Sequence, residues 1–145
     1  YEISRGDWSS DVCSSDLNDS RIHLIEPLGV QDFHNFASRA YIILTDSGGV
    51  QEEAPSLGTP VLVLRDTTER PEGIEAGTLK LAGISENGIY ELANELLRDT
   101  TVYNSMSKAS NPYGDGKASE RIVEAILYHF NINLVKPSEF VVVPK

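Results

Sequence analysis

The segment best suited to binding a ligand is Asp46-Ser47-Gly48-Gly49, which directly follows the apolar run Tyr41–Leu44. Glycine lets a ligand approach the backbone closely, and the first N–H groups of a following helix attract an anion such as phosphate. The Ser47 hydroxyl could donate to a phosphate oxygen, or it could serve only as a helix N-cap in an ordinary turn. Because the chain lacks Gly-x-Gly-x-x-Gly and Walker-type patterns, ordinary dinucleotide and ATP loops are disfavoured.

Glu52 and Glu53 follow on the helix that is predicted to begin after this turn. Adjacent helix positions point about 100° apart, so at most one of the two carboxylates faces a ligand well. Such a carboxylate can accept the hydroxyls of a ribose, whereas a general acid–base pair would need convergent side chains. A solvated carboxylate at a helix start is the alternative for either residue.

A second polar segment, Arg65–Glu72, follows the apolar run Val61–Leu64. The forked guanidinium of Arg70 suits a diphosphate, and in so acidic a chain its positive charge has to act locally. A surface network of arginine and glutamate side chains is the alternative. The later segment Asn111–Lys117 is either a tight turn that ends in a helix cap at Asp115 or a loop that lines a cleft.

The spacing of the ligand-type residues gives no support to metal or redox chemistry. His23 and His34 have no Cys or Asp partners at metal-ligand spacing, and each is interpreted as structural. The single cysteine, Cys13, excludes an internal disulfide framework and favours a reducing compartment such as the cytoplasm. We therefore predict neither a metal site nor a cofactor.

Short apolar runs alternate with amphipathic helical patterns, and this order must position the polar segments. The predicted strands are Ile22–Ile25, Tyr41–Leu44, Val61–Leu64 and the weaker Leu79–Ala82, with Val141–Val143 either a strand or a loose tail. The predicted helices begin near Val30, Val50, Ile89, Thr101 and Lys117, and the last runs to Phe130. This alternation predicts an α/β fold with a Rossmann-like parallel sheet that helices cover on both faces. Tyr41–Leu44 is expected to be buried on both faces.

Composition and charge limit the classes of protein that fit. The chain has 145 residues, the length of one ordinary domain, and 40% of them are hydrophobic, which is enough for a packed core. Acidic residues outnumber basic ones by 22 to 12, and the net charge of −10 argues against nucleic acid or a membrane surface as a partner. No apolar run approaches the roughly 20 residues of a membrane-spanning helix.

The first residues of the chain differ in character from the rest. Asp7–Leu17 has neither helical nor strand periodicity and resembles the translated read-through of a sequencing-library adapter, with a native flexible segment as the alternative. We predict a non-native leader over residues 1–20, a ligand-binding domain over residues 21–130 and a C-terminal tail over residues 131–145.

Several stretches together resemble a known family, the bacterial non-hydrolysing UDP-N-acetylglucosamine 2-epimerases. These stretches are Ile22–Phe36, Leu44–Gly58, Pro60–Glu72 and Asn111–Ser119. The similarity extends from about Arg21 to Phe130 in the order and spacing of the family. The Arg65–Glu72 run favours the non-hydrolysing over the hydrolysing branch.

The resemblance implies the C-terminal half of a two-domain fold like that of the B-type glycosyltransferases, with residues 21–130 as its UDP-binding domain. It implies that Phe33 stacks on the uracil ring and that the Ser47-Gly48-Gly49 turn meets the diphosphate. Glu53 would then accept the ribose hydroxyls, and Arg70 would lie at the edge of the active site, in agreement with the role inferred from its charge.

The reaction that the resemblance implies interconverts UDP-GlcNAc and UDP-ManNAc by elimination and re-addition of UDP. The family's catalytic carboxylates and a substrate-binding histidine are expected outside this chain, so no residue here is predicted to be catalytic. We expect a part of the enzyme that binds UDP without epimerising, from a cytoplasmic protein of cell-surface polysaccharide biosynthesis whose full-length relatives are homodimers. A nucleotide-sugar glycosyltransferase and a non-catalytic UDP-binding domain are the alternatives.

Overall fold

The computed structural model of the chain describes residues 19–142. Most of the predicted leader, with Trp8 and Cys13, lies outside the described residues, as does Val143 of the possible terminal strand. The boundaries of the leader, the domain and the tail therefore stay predictions. No helix in the described range is both long and apolar enough to cross a membrane.

Strands and helices alternate along the described residues in nearly the predicted order. The strands are β1 (Ile43–Thr45), β2 (Val61–Val63) and β3 (Leu79–Leu81). The helices are α1 (Val30–Ala37), α2 (Gly48–Glu53), α3 (Pro71–Glu75), α4 (Glu86–Arg98), α5 (Thr100–Ser107) and α6 (Ala118–His129). A 3-10 turn, Ala54–Leu57, extends α2 as far as Gly58, which adopts the left-handed conformation of a helix end.

The three strands form one parallel sheet in the order β1-β2-β3. Leu44 of β1 lies opposite Leu62 of β2, which lies opposite Lys80 of β3. Parallel neighbours require crossover connections, and helices supply them here. The α/β fold with a parallel sheet is therefore confirmed, and all three strands end at the same edge of that sheet.

The central strand β2 forms the middle of the core. Its three residues are fully buried, and successive side chains point to opposite faces of the sheet. One face holds the cluster Ala54, Val61, Val63 and Leu79, and the other holds Leu62, Ala82, Leu96 and Met106. Since Leu96 belongs to α4 and Met106 to α5, these helices cover one face, while the turn after α2 covers the other.

Side chains at the helix starts explain where α4 and α5 begin. The Ser85 hydroxyl accepts a hydrogen bond from Gly88 N at 3.2 Å. Asp99 Oδ1 accepts from Val102 N at 3.2 Å and from Thr101 N at 2.8 Å. These two backbone bonds favour the charged carboxylate and lower the pKa of Asp99 below its usual value.

The predicted strand Ile22–Ile25 is wrong. Its side chains are open to solvent, with Ile22, Leu24 and Ile25 exposed by 49%, 84% and 56%. A strand needs a hydrogen-bonded neighbour, and within residues 19–142 the sheet pairs β1 with β2 alone. The apolar run therefore has the residue types of a strand, but no neighbouring strand pairs with it among residues 19–142.

The expectation that Tyr41–Leu44 is buried on both faces is also wrong. The strand begins at Ile43, and Leu44 is 45% exposed. The physical reason is its position, because β1 is an edge strand of the described sheet whereas β2 is central. Tyr41 packs instead on Tyr103 of α5, with the two rings stacked at 4.1 Å between centroids.

Two further differences concern helix starts. The helix α3 begins inside the segment predicted to be a polar loop, where Pro71 suits the first helical turn. The predicted cap at Asp115 is wrong, because Lys117 holds the N-cap position of α6. The Asp115 carboxylate accepts from Lys117 N at 3.1 Å and pairs with Arg121.

The C-terminal segment was predicted to be either a strand or a loose tail. Val141 and Val142, the part of it that the structure describes, belong to no strand.

We expect Leu96→Ala to lower the free energy of unfolding by about 2–5 kcal/mol, because the substitution leaves a cavity at a fully buried site. Leu97→Ala is the matched control, since Leu97 is the next residue of α4 and is 62% exposed. The control should change stability by about 0.5 kcal/mol or less. Urea unfolding followed by circular dichroism measures both, and equal losses would contradict this placement of the core.

Candidate functional site

The Ser47-Gly48-Gly49 turn lies directly after β1, at the carboxyl edge of the sheet. Thr45 at the end of β1 is opposite Val63 at the end of β2, so the turn and the segment 64–70 are neighbours. The pairing continues for one residue beyond the strands, where Leu64 N donates to Thr45 O at 2.9 Å. Parallel α/β sheets bind their ligands at this edge.

Ser47 occupies the N-cap position of α2, but its hydroxyl makes no capping hydrogen bond. Its backbone N–H donates to Thr45 Oγ1 at 3.1 Å, and its backbone oxygen accepts from Gln51 N at 3.2 Å. The N-cap interpretation therefore holds for the backbone and not for the side chain. The hydroxyl is placed at the sheet edge, where it can donate to a ligand.

The fold itself does not require glycine at positions 48 and 49. Both residues lie in the first turn of α2, and neither has a positive φ. A Cβ atom on Gly48 would come no closer than 3.7 Å to Glu69 Oε1, and one on Gly49 no closer than 3.9 Å to Ser47 Oγ. Since glycine costs about 1 kcal/mol relative to alanine inside a helix, close approach of a ligand to the backbone explains the pair better than packing does.

Arg70 is tied to α2 by an ion pair. Its Nε donates to Glu52 Oε1, and its Nη1 donates to the backbone oxygen of Glu69 at 3.1 Å. The Glu52 carboxylate is the main cause of the raised pKa of Arg70. Because the side chains of Arg70 and Glu52 are 34% and 43% exposed, water screens the pair, which adds little to stability and can rearrange.

Arg65 and Glu69 form a second ion pair in the same segment. Arg65 Nη1 lies 3.1 Å and 2.8 Å from the two carboxylate oxygens of Glu69. The pKa of Glu69 is lowered, first by its own backbone N–H and then by Arg65. The same carboxylate is the neighbour of Gly48 noted above, so a negatively charged side chain of the protein lies beside the glycine turn.

Glu53 is directed toward α1 rather than toward Arg70. Its Oε2 lies 3.0 Å from His34 Nε2, and the His34 ring packs on that of Phe33 with 5.9 Å between centroids. Glu52 and Glu53 thus have different partners, as their angular separation on the helix predicts. The sequence pattern indicated no partner for His34, and the structure shows one.

An apolar groove of about 510 Å³ opens beside Phe33, between α1 and β1. Its lining consists of Phe33, Phe36, Ala37, Arg39, Ala40, Ile43, Leu44, Thr45 and Val50. The groove therefore runs from the aromatic side chain on α1 to the end of the strand that carries the glycine turn. An aromatic ring beside such a groove can stack on a flat ligand.

A second cavity, of about 750 Å³, has Glu52 and the Asn111–Lys117 loop in its wall. Asn111 shapes the loop, because its Oδ1 accepts from Tyr113 N at 3.0 Å. The Tyr113 hydroxyl is buried against Gly73, and burial is the main cause of its raised pKa. The structure therefore favours the interpretation of this loop as one that lines a cleft.

Sequence reasoning missed Gln51, which connects the two segments of the site. Its side chain is fully buried, and its Oε1 accepts from Thr68 Oγ1 at 2.6 Å. Thr68 Oγ1 in turn accepts from Arg70 N at 3.1 Å. The spacing along the chain could have indicated that Gln51 is buried, because Gln51 lies three residues before the buried Ala54 and therefore on the same helical face.

The groups at this edge of the sheet have the chemistry that an anionic ligand with hydroxyl groups would require. The donors are the Ser47 hydroxyl, the N–H groups of the glycine turn and the Arg70 guanidinium, and the acceptor is the Glu53 carboxylate. In residues 19–142, no group of three or more His, Cys, Asp or Glu side chains is arranged to hold a metal ion.

Comparison with known proteins identifies the family. The family model described as UDP-N-acetylglucosamine 2-epimerase matches residues 7–127. The chain is 68% identical over 120 residues to the UDP-N-acetylglucosamine 2-epimerase of Bacillus subtilis strain 168, an alignment that covers 83% of this chain and 32% of that protein.

Two solved structures give the same result at the level of the fold. The S. aureus MnaA–UDP co-structure is 61% identical with a TM-score of 0.80, and the match covers 86% of this chain and 34% of that one. The Neisseria meningitidis UDP-GlcNAc 2-epimerase bound to UDP-GlcNAc is 54% identical with a TM-score of 0.70, covering 72% of this chain and 29% of that one.

Fold and site together define an α/β domain with a Rossmann-like parallel sheet and a polar site at its carboxyl edge, as in B-type glycosyltransferase-like folds. The chain belongs to the UDP-N-acetylglucosamine 2-epimerase family. It spans about a third of the length of the relatives that it matches. The resemblance noted from the sequence is therefore confirmed, whereas the roles of individual site residues stay predictions.

The ion pair between Asp115 of the cleft loop and Arg121 of α6 should make stability depend on pH. The two terminal nitrogens of the Arg121 guanidinium, Nη1 and Nη2, each lie 2.7 Å from an oxygen of Asp115, and they hold the pKa of that carboxyl well below its usual value. A carboxyl with a lowered folded-state pKa stabilises the fold above its unfolded pKa of about 4. That contribution is lost progressively as the pH falls from about 4 toward the lowered value.

We therefore expect Asp115→Asn to lower the melting temperature at neutral pH, by an amount that shrinks as the pH falls below about 4. Thermal unfolding followed by circular dichroism over this range measures the difference from the parent chain. Glu91→Gln, which removes an exposed carboxylate on α4, is the control and should change little. A difference that stayed constant down to about pH 3 would show that this pair does not stabilise the fold.

Proposed function

We propose that this chain binds the UDP portion of a UDP-sugar and supplies the leaving-group side of a UDP-N-acetylglucosamine 2-epimerase. One observation carries the proposal. The chain superposes on the S. aureus MnaA–UDP co-structure with a TM-score of 0.80 at 61% identity. A glycine turn lies at the start of α2 and the Glu53 carboxylate at its last residue, where Glu53 is bonded to the neighbour of the aromatic Phe33 on α1.

The nucleoside is assigned to the α1 side of the site. Phe33 stands at the mouth of the apolar groove, where its ring can stack on uracil. Glu53 is bonded to His34, the neighbour of Phe33, so the carboxylate lies within reach of the ribose of a base stacked on that ring. A carboxylate accepts two hydroxyls without competition from water once the ligand covers it.

The diphosphate is assigned to the Ser47-Gly48-Gly49 turn and Arg70. Among the described residues, Arg70 Nη2 has no hydrogen-bond partner, so it can donate to a phosphate oxygen while Nε keeps its bond to Glu52. The Glu69 carboxylate beside Gly48 would repel the ligand and has to move away. That movement costs little, because the Arg65–Glu69 pair is exposed at the surface.

The proposed reaction is an isomerisation in which a base removes the C2 proton as UDP leaves C1, so that a C1–C2 double bond forms. C2 is then reprotonated on the opposite face and UDP adds back to C1. Bond cleavage places negative charge on the departing diphosphate, and fixed donors at that position stabilise it. This chain would supply those donors. Glu52 and Glu69 are paired with arginines rather than with each other, so we assign neither of them as a base at C2.

We propose that the protein acts in the cytoplasm as a homodimer in its full-length form. The cytoplasmic assignment is supported by the nature of the proposed substrate. The dimer is supported by the family resemblance alone. Sedimentation of a full-length relative in the presence and absence of UDP would test it.

We expect Gly49→Ala to weaken UDP binding about tenfold or more, because a methyl group would separate the phosphate from the backbone N–H groups. The same substitution should leave the free energy of unfolding unchanged or raise it by about 0.5–1 kcal/mol, since the Cβ has room and alanine favours a helix. Titration calorimetry with UDP and urea unfolding of the same sample measure the two quantities. Gly29→Ala, outside the site and also with room for a Cβ, is the control.

Ser47→Ala, Glu53→Ala and Arg70→Ala should each weaken UDP binding in the same titration, with Arg98→Ala on α4 as the remote control. Unchanged affinity in all three variants would contradict the site. Loss of binding in Gly49→Ala together with loss of stability would mean that the fold, and not the ligand, requires the glycine.

We also expect that the 145-residue chain does not convert UDP-GlcNAc into UDP-ManNAc, because no general base or acid is assigned within it. Proton NMR of the reaction mixture distinguishes the two sugars by their anomeric signals. The Bacillus subtilis relative serves as the positive control. Turnover by this chain would show that catalytic groups lie among its own residues.

A further inference from the structure

We propose that His34 is a positioning residue that holds the Glu53 carboxylate in the orientation needed to recognise a ribose 2′-hydroxyl. The inference deepens the proposed function and rests on it. It goes further in naming a residue that sets the preference of this site for ribonucleotides over 2′-deoxyribonucleotides.

A hydrogen bond between His34 and Glu53 connects α1 with α2. His34 Nε2 and Glu53 Oε2 are 3.0 Å apart, although the residues lie 19 positions apart in the sequence. Because an ionised carboxylate only accepts hydrogen bonds, the imidazole has to be the donor. The bond therefore joins the last turn of α1 to the last residue of α2.

Both backbones that carry this bond are held in place. Ser38 N donates to the backbone oxygen of His34 at 2.9 Å and closes the end of α1. Ser56 Oγ donates to the backbone oxygen of Glu53 at 2.6 Å. The side-chain hydrogen bond thus connects two ordered positions, and the Glu53 carboxylate has few other orientations while it lasts.

The exposure of both side chains indicates that the hydrogen bond orients the Glu53 carboxylate more than it stabilises the fold. The side chains of His34 and Glu53 are 43% and 52% exposed, and an ion pair so accessible to water adds little to the stability of the fold. A glutamate without this partner would sample several rotamers, and binding a ribose would have to select one of them. Fixing the rotamer beforehand removes that cost from binding.

The bond also leaves the carboxylate able to bind the ligand. Each carboxylate oxygen has about two lone-pair sites, so a single donor on Oε2 leaves Oε1 and part of Oε2 for ribose hydroxyls. Phe33 precedes His34 on α1, and their rings are in contact at 5.9 Å. The group proposed for the base and the group that orients the ribose acceptor therefore move together on one helix.

The test compares UDP with 2′-deoxy-UDP in titration calorimetry on the full 145-residue chain. His34→Leu should weaken UDP binding about threefold to tenfold, the range expected for ordering one long side chain, and should change 2′-deoxy-UDP binding less than about twofold. His34→Gln retains an N–H donor at similar reach and should restore UDP affinity to within about twofold of the parent. His23→Leu, a change of the same kind at an exposed residue that precedes α1, should alter neither affinity.

The affinities of His34→Leu and His34→Gln distinguish a positioning role of His34 from a structural one. Equal weakening of both nucleotides in His34→Leu would mean that His34 supports the fold of the site, and would overturn the inference. UDP affinity unchanged in His34→Leu, or His34→Gln as weak as His34→Leu, would overturn it as well. If the parent chain binds no UDP, the proposed function fails together with this inference, whereas UDP binding that ignores His34 leaves the proposed function intact.

Discussion

The burial of β2 on both faces is the constraint on which the rest of the structure depends. Val61, Leu62 and Val63 exclude water from both sides of the sheet, and their backbone groups pair with a strand at either edge. Each of the two hydrophobic clusters, one on each face of the sheet, contains side chains of this strand. Because β1 is in register with it, the turn after β1 and the segment after β2 emerge side by side, and the site is a consequence of where these strands end.

The proposed anion site lies in an acidic chain, and this limits which groups can attract the ligand. The net charge is −10, so attraction of a nucleotide diphosphate cannot come from the overall field and has to come from a few groups at short range. Arg70 and the Ser47-Gly48-Gly49 turn are the groups proposed for this role. Arg70 is paired with Glu52, and the neighbouring Arg65 is paired with Glu69. The pairs keep the arginines in place and are exposed enough to exchange a carboxylate for a phosphate. Glu53 is separated from them by its bond to His34, which leaves it free to act as an acceptor.

Much of the fold could be predicted from the sequence because its signals are local. Apolar runs marked β2 and β3, helical spacing marked α1 and α4, and the glycines after β1 marked the turn at the sheet edge. The errors arose where a property depends on a neighbour. Ile22–Ile25 has the composition of a strand but no strand partner among residues 19–142. Leu44 has the composition of a buried residue but lies at the edge of the described sheet. The start of α3 was hidden because Pro71 ends a polar run that is typical of a loop.

By itself, the sequence determined the family, most of the order of strands and helices, and which residue types stand after each strand, because all of these are properties of neighbouring positions along the chain. Only the tertiary structure decided how the site residues are partnered. It paired Arg70 with Glu52 and Glu53 with His34, and it joined the two segments of the site through the buried Gln51. These contacts connect residues 17 to 19 positions apart. No local pattern specifies such contacts, because they exist only once the packing of α1, α2 and β2 has brought their side chains together.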